Sequence, residues 1–295
     1  VRRELSSFVN EEELSHLSFF EADLTSKRGW AEAMKGAAGI FHVASPLGHG
    51  TETAEQMVAV AKNGTLNVLQ AAVDAGVDRV VMTSSQAAST PLADFVGTLD
   101  ESFWSDVTNP ELDPYRISKI EAEHAAWDFA KSHGLKLTTV LPGAIFGPAM
   151  SERSMSSNRI LLELLKGQPM IPQVPMEVSD VRDLAVLRRL AFESPKVVGK
   201  RYLAASQRTT MPEIARLYHD EFPQLRVNDR EMPKWLTRVA SRFVPSLRTL
   251  VPMLNRRYGH STAAAEKDLG WVQHSPRETV LDAAKQLIKL GLVKK

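Results

Sequence analysis

Tyr115 and Lys119 stand four residues apart in Asp-Pro-Tyr-Arg-Ile-Ser-Lys. On a helix that spacing puts a phenol and an ammonium on one face. A fixed cation beside a phenol lowers its pKa from the ordinary value of about 10. Such a pair can give a proton to, or take one from, a carbonyl or alcohol oxygen. The spacing alone recurs by chance in roughly one chain in four of this composition. Ser85, upstream in Val-Met-Thr-Ser-Ser, adds a hydroxyl that could orient the same oxygen. The competing reading is that Thr83, Ser84 and Ser85 merely satisfy backbone groups at a strand end.

The elements that must position these groups alternate in type. Residues 17–21, 39–45, 80–82 and 137–141 read as strands, the later ones as continuous apolar runs. Residues 30–35, 53–75 and 113–132 read as helices, with Gly76 and Gly134 as stops. Continuous apolar strands separated by helices predict a parallel sheet covered on both faces. Ser85, Ala44-Ser45-Pro46 and Pro142-Gly143-Ala144 all follow strands. Their loops should therefore converge outside the carboxyl edge of one sheet, where ligands of open α/β sheets bind.

The second half reads differently. Helices are expected over 159–166 and 181–193, a last strand over 201–204, and mostly helix from residue 210 onward. Ser275-Pro276-Arg277-Glu278 is a capping box with proline at the first helical position. It should launch a helix that stops at Gly291.

The bulk numbers exclude several classes. The 295 residues carry a net charge of +1, so no global field favours nucleic acid or a membrane surface. There is no cysteine, which removes disulfides, thiol catalysis and thiolate metal sites. That fits a reducing compartment, and a cytoplasmic location is expected. No apolar run reaches the roughly 18 residues of a membrane span, and no signal peptide is visible. Asp180 and Asp183 are not spaced to bind a metal with a histidine, and no metal is expected.

Several motifs occur together in order. They are Glu21-Ala22-Asp23-Leu24, Phe41-His42-Val43-Ala44-Ser45-Pro46, Asn63-Gly64-Thr65-Leu66-Asn67-Val68-Leu69, Val81-Met82-Thr83-Ser84-Ser85 and the Tyr115/Lys119 pair. Leu141-Pro142-Gly143-Ala144-Ile145-Phe146-Gly147-Pro148, Val181-Arg182-Asp183-Leu184-Ala185 and Leu269-Gly270-Trp271 follow. With them the chain resembles, over essentially its whole length, the extended short-chain dehydrogenases/reductases of the dihydroflavonol-reductase-like branch. The resemblance implies a Rossmann-type doubly wound parallel sheet formed by 1–148 and about 176–205. A smaller, mainly helical substrate lobe would comprise 149–175 and 206–295.

The same resemblance implies a catalytic set of Ser85, Tyr115 and Lys119, with Ser84 as the alternative serine. Tyr115 would be the general acid in reduction and the general base in oxidation. Lys119 would hold the nicotinamide ribose and lower the Tyr115 pKa. NADP is the implied cofactor, with NAD possible. It would lie along Arg2, Asp23, Leu24, Val43, Ala44, Ser45, Thr83, Tyr115, Lys119, Pro142, Ala144 and Ser157. The substrate would be a small carbonyl compound or alcohol, and the protein a monomer or homodimer.

The family's Gly-x-x-Gly-x-x-Gly turn is not among the residues given. Gly36 to Gly39 and Gly48 to Gly50 come too late to form it. We expect the chain to start at the last residues of the family's second strand. Arg2 and Arg3 would then stand where a 2′-phosphate is read, or be solvated. The loss of a central strand should leave unpaired edges, and the 295 residues alone should bind dinucleotide poorly. A sugar-nucleotide epimerase, a 3β-hydroxysteroid-type dehydrogenase and a cofactor-binding protein without turnover remain alternatives.

Weaker signals read as structural. His42 and His124 are expected to be packing histidines. Residues 224–258 hold 8 Arg/Lys against 2 Asp/Glu, which reads as a solvated face sooner than a basic lip. Trp235, Phe243 and Met253 are expected in the core.

Overall fold

The computed structural model describes residues 2–6, 8–46, 53–248 and 250–293. Gly48 to Gly50 and Val1 lie outside the described residues. A four-stranded parallel sheet runs in the order Ile40–His42, Arg79–Thr83, Lys136–Leu141, Arg201–Leu203. Its register places Val81 opposite Thr138 and Thr83 opposite Val140. The Arg79–Thr83 strand is buried along its length. Val80 and Met82 pack toward the helices Ala54–Asp74 and Pro114–His133. Val81 belongs to the opposite face, under Val181–Glu193. Successive side chains on a strand point to opposite faces, so apolar residues at every position mean both faces are covered.

The helices begin where their caps dictate. Thr53 and Gln56 form a capping box ahead of Ala54–Asp74. Asp113 caps Pro114–His133 by accepting from the Arg116 amide, and Gly134 closes that helix with φ 71°. Ser275 and Glu278 cap Pro276–Lys289 reciprocally, as expected. Each such cap is worth about 1 kcal/mol against alanine.

A separate apolar cluster joins Asn158–Leu165, Pro175–Asp180, Met211–Glu221 and Pro276–Lys289. It is tied to the sheet by Asp180, which caps Val181–Glu193 and accepts from Thr279 at 2.9 Å. Arg182 pairs with Asp180 and with Asp282. The Trp271 indole donates to the Asp183 carbonyl at 2.8 Å. These contacts give the Val181-Arg182-Asp183 and Leu269-Gly270-Trp271 motifs a structural role.

Four expectations are corrected. Residues 17–21 form no strand and pair with none among the described residues, and Phe19 and Phe20 are exposed. The first sheet strand covers only Ile40–His42, and its outer edge is unpaired among the described residues. Phe41 and Val43 beside it are about half exposed. A strand without a neighbour has nowhere to send its backbone hydrogen bonds, so no ladder forms. Arg2 lies in a short helix, Arg2–Leu5, where a strand end was expected. Trp235 and Phe243 are exposed, not core, while Met253 does pack against the second cluster.

Val96–Leu99 and Arg257–His260 form a parallel pair that no local pattern announced.

Candidate active site

The Arg79–Thr83 ladder continues past the strand end. The Ser84 amide donates to Val140 at 2.8 Å, and the Gln86 amide to Pro142 at 2.9 Å. Ser85 is thereby pinned beside the Leu141-Pro142 turn. Its hydroxyl accepts from the Ala87 amide at 3.1 Å and lies close enough to the Tyr115 phenol to act on its pKa. Lys119 follows one turn along the helix, 6% exposed, with its Nζ 5.4 Å from the Tyr115 ring centroid. Ser85, Tyr115 and Lys119 thus meet at the carboxyl edge of the sheet. The neighbouring Ser84 is occupied otherwise: its hydroxyl donates to Glu123 Oε2 at 2.7 Å. That leaves Ser85 as the serine facing the phenol.

Electrostatics departs from expectation at Tyr115. Burial raises its pKa, opposed by the Ser85 hydroxyl and Arg116. Lys119 is not among the groups that move it, because the ammonium lies over the ring and not at the hydroxyl. Burial lowers Lys119 to about 8, and Glu123 opposes that fall. Among the described residues the Lys119 ammonium makes no ion pair. A buried cation without a partner calls for hydroxyl or anionic oxygens, which fits a ribose diol.

His42 is buried and bonded to Thr65 at 3.3 Å. Burial, then Lys119, lowers it to about 4. His124 stacks near Trp104, with ring centroids 4.3 Å apart.

The strand-end and helix motifs interlock. A Cβ at Gly64 would collide with Leu24, so glycine lets the Asp23-Leu24 turn rest on the helix. Asn67 Nδ2 then donates to the Leu24 carbonyl at 3.0 Å. Asp23 closes its own turn by accepting from the Thr25 hydroxyl and from the Thr25 amide at 2.7 Å, and this bonding holds its carboxyl below the usual range. Thr83 Oγ1 accepts from Arg188 Nε at 3.0 Å.

Pro142 and Ala144 flank Gly143, whose missing Cβ allows close approach to the Glu177 carbonyl. Val43, Ala44 and Ser45 follow the edge strand, Val43 and Ala44 exposed and Ser45 half-buried. Ser157 precedes the Asn158–Leu165 helix and makes no capping bond. Arg2 donates to the Leu17 carbonyl at 2.7 Å and lies over Phe19.

The residues present fit the nicotinamide-ribose end of a dinucleotide. No glycine-rich turn leading into a helix lies beside the strand ends among the described residues.

Asp180, Asp183 and His274 offer ligand atoms within 4.8 Å of one another. The sequence spacing had given these aspartates no histidine partner; the fold supplies one from 91 residues away. Both carboxylates are already engaged, Asp180 by Arg182 and Thr279, and Asp183 by the His274 amide and ring.

Comparison with known proteins places the chain in a family. Residues 1–203 match the NAD dependent epimerase/dehydratase family. An anthocyanidin reductase ((2S)-flavan-3-ol-forming) of Vitis vinifera is 30% identical over 246 residues, covering 77% of this chain and 72% of the relative. Cinnamoyl-CoA reductase 1 of Petunia hybrida is 35% identical over 215 residues, covering 70% of this chain and 63% of its own length. The yeast methylglyoxal/isovaleraldehyde reductase, solved in complex with NADPH, superposes with a TM-score of 0.75 at 26% identity. That match covers 91% of this chain and 83% of the yeast chain. The chain belongs to the NAD dependent epimerase/dehydratase family, in its dihydroflavonol-reductase-like branch of extended short-chain dehydrogenases/reductases. Its class is that of oxidoreductases acting on carbonyl and alcohol groups.

Proposed function

We propose that the protein is an NADP-dependent reductase that converts an aldehyde or ketone to an alcohol. The observation that carries this is the meeting of Ser85, Tyr115 and Lys119 at the carboxyl edge of a parallel sheet. The NADPH complex of the yeast neighbour supports the choice of cofactor. When bound, the dinucleotide supplies the hydride. Lys119 would hold its nicotinamide ribose, with Thr83, Pro142 and Ala144 around it. Val43, Ala44 and Ser45 would line the same side, Asp23 and Leu24 the adenosine side.

The chain's own part is proton transfer and orientation. The Ser85 hydroxyl donates to the substrate carbonyl oxygen and holds it beside the Tyr115 phenol. As negative charge develops on that oxygen, Tyr115 Oη delivers its proton. A phenol with a raised pKa is fully protonated at neutral pH, ready to act as the acid. The Ser85 hydroxyl and Arg116, which act to lower the Tyr115 pKa, then favour the phenolate left behind. In oxidation the same groups run in reverse.

The separate core around Asn158–Leu165, Met211–Glu221 and Pro276–Lys289 supports assigning 149–175 and 206–295 to substrate binding. The test is NADPH oxidation over a panel of aldehydes, ketones and flavanonols. Turnover is expected on at least one carbonyl substrate. Epimerisation of a sugar nucleotide without net NADPH oxidation would replace this reading.

A further inference from the structure

Glu123 is fully buried one turn beyond Lys119, and its carboxylate collects five donors. Ser84 Oγ reaches Oε2 at 2.7 Å, and Thr139 Oγ1 reaches Oε1 at 2.8 Å. Arg201 donates from Nε at 2.9 Å and from its Nη2 at 3.2 Å. The Trp127 indole completes the set at 3.4 Å. These donors come from the strand that carries Ser85, the next strand, the last strand and the helix itself.

Arg201 is fixed in turn. It stacks 3.5 Å over Trp104 and donates to the Glu101 and Phe103 carbonyls at 3.0 and 2.8 Å. A buried carboxylate with this many partners has one available position.

From this geometry we infer that Glu123 is a positioning residue: it clamps the Ser84-Ser85 strand end to the helix bearing Tyr115 and Lys119, and sets its negative charge beneath the Lys119 ammonium. Four hydrogen-bonded elements converge on one carboxylate, so the Ser85-to-Tyr115 geometry depends on it. The inference rests on the reductase reading for its effect on turnover, but not for its effect on Lys119.

The charged and titratable groups around the pair are few. Lys119 faces Tyr115 on its own helix and His42 from the edge strand, and His42 is neutral above about pH 4. Glu123 faces Arg201 from the last strand. Lys62 from the Ala54–Asp74 helix pairs with Glu121 and leaves Lys119 alone. Glu123 is the one nearby anion that opposes the depression of Lys119.

The experiment titrates the Lys119 side chain by NMR in protein labelled at lysine, assigned by its loss in Lys119→Arg. It compares the wild type, Glu123→Gln, Glu123→Asp and the double variant Glu123→Gln with Arg201→Met. The double variant guards against misfolding, because it leaves no buried guanidinium unpaired. The Lys119 midpoint, about 8 in the wild type, should fall by about one unit in Glu123→Gln and in the double variant. Glu123→Asp keeps the charge and should restore it. With NADPH and a carbonyl substrate, kcat should drop about 10- to 100-fold in the two Gln variants, with the substrate KM within about twofold.

A wild-type midpoint in a folded Gln variant overturns the electrostatic role, and an unchanged kcat overturns the clamp. If the wild type shows no turnover on any carbonyl, the reductase reading fails. The Lys119 titration then decides the inference by itself.

Discussion

The two ends of the sheet's carboxyl edge are built in opposite ways. Around Ser85, a buried carboxylate gathers hydrogen bonds from several elements of the protein. Ser84, Thr139 and Arg201 close on Glu123, and the Ser85 turn is stitched to Pro142. Around 17–46, the first strand has an open edge among the described residues, and Phe19, Phe20, Phe41 and Val43 face outward. The corner proposed for proton transfer is thus braced by side-chain hydrogen bonds across several elements, while the side that would carry the dinucleotide is held by local turns such as Asp23 to Thr25. Preorganisation of donors and acceptors is what proton transfer and charge stabilisation require. Exposed aromatic residues beside an unpaired strand contribute little to a core and leave an edge able to accept another strand.

The largest test of this contrast is Lys119→Met. It removes a buried ammonium whose pKa is lowered to about 8. The folded state gives up the proton near pH 8, and the unfolded chain near 10.5. The buried charge therefore costs stability in full below pH 8, and the cost fades as pH rises toward 10.5. The variant should lose turnover by about 1,000-fold, yet unfold at a higher denaturant concentration at pH 7. A gain of roughly 2–3 kcal/mol is expected. Equal stability at pH 7 would show that Lys119 is not strained in the protein without cofactor.

His42 gives an effect of similar size on the acid side. Its folded pKa of about 4 lies below the ordinary 6.5. The unfolded chain binds a proton between these values and the folded one does not. Stability from this group is complete above pH 6.5 and falls by about 3 kcal/mol as pH drops through 4. A His42→Gln variant should flatten that decline in urea unfolding curves; an unchanged decline would move the acid sensitivity elsewhere.

The smallest effects compare the two regions directly. Leu137→Ala, in the buried sheet, should cost about 2–4 kcal/mol. Phe19→Ser, at an exposed position, should stay within about 0.5 kcal/mol. A large loss at Phe19 would mean the edge is covered in solution, and the contrast between the regions would weaken.

Much of the corner was legible because its signals are local. The Tyr115/Lys119 spacing, the Thr53 and Ser275 capping boxes and the apolar strand runs each lie within a few residues. What could not be read arises from pairing across distance. Val96–Leu99 and Arg257–His260 are far apart in the chain, and neither has an apolar alternation. The Asp183 partnership with His274 is equally remote.

Nothing in the spacing of the sequence alone marks Glu123 for its role. The signal that could have singled it out was its place one turn after Lys119, on the face that Ile120 and Ala126 bury. Phe243 was expected in the core as a large apolar side chain, and the fold provides no covering surface for it among the described residues. The expected lowering of the Tyr115 pKa by Lys119 failed for a reason spacing cannot show. Two groups on one helix face share a direction, but the ammonium came to rest over the ring.

The central claim is that Tyr115 delivers the proton in carbonyl reduction. Its most direct test is steady-state NADPH oxidation by the wild type and by Tyr115→Phe on the same carbonyl substrate, with NADPH affinity measured separately. The account predicts a fall in kcat of roughly 1,000-fold or more with NADPH affinity within about twofold. Tyr115→Phe turning over at close to the wild-type rate would contradict it.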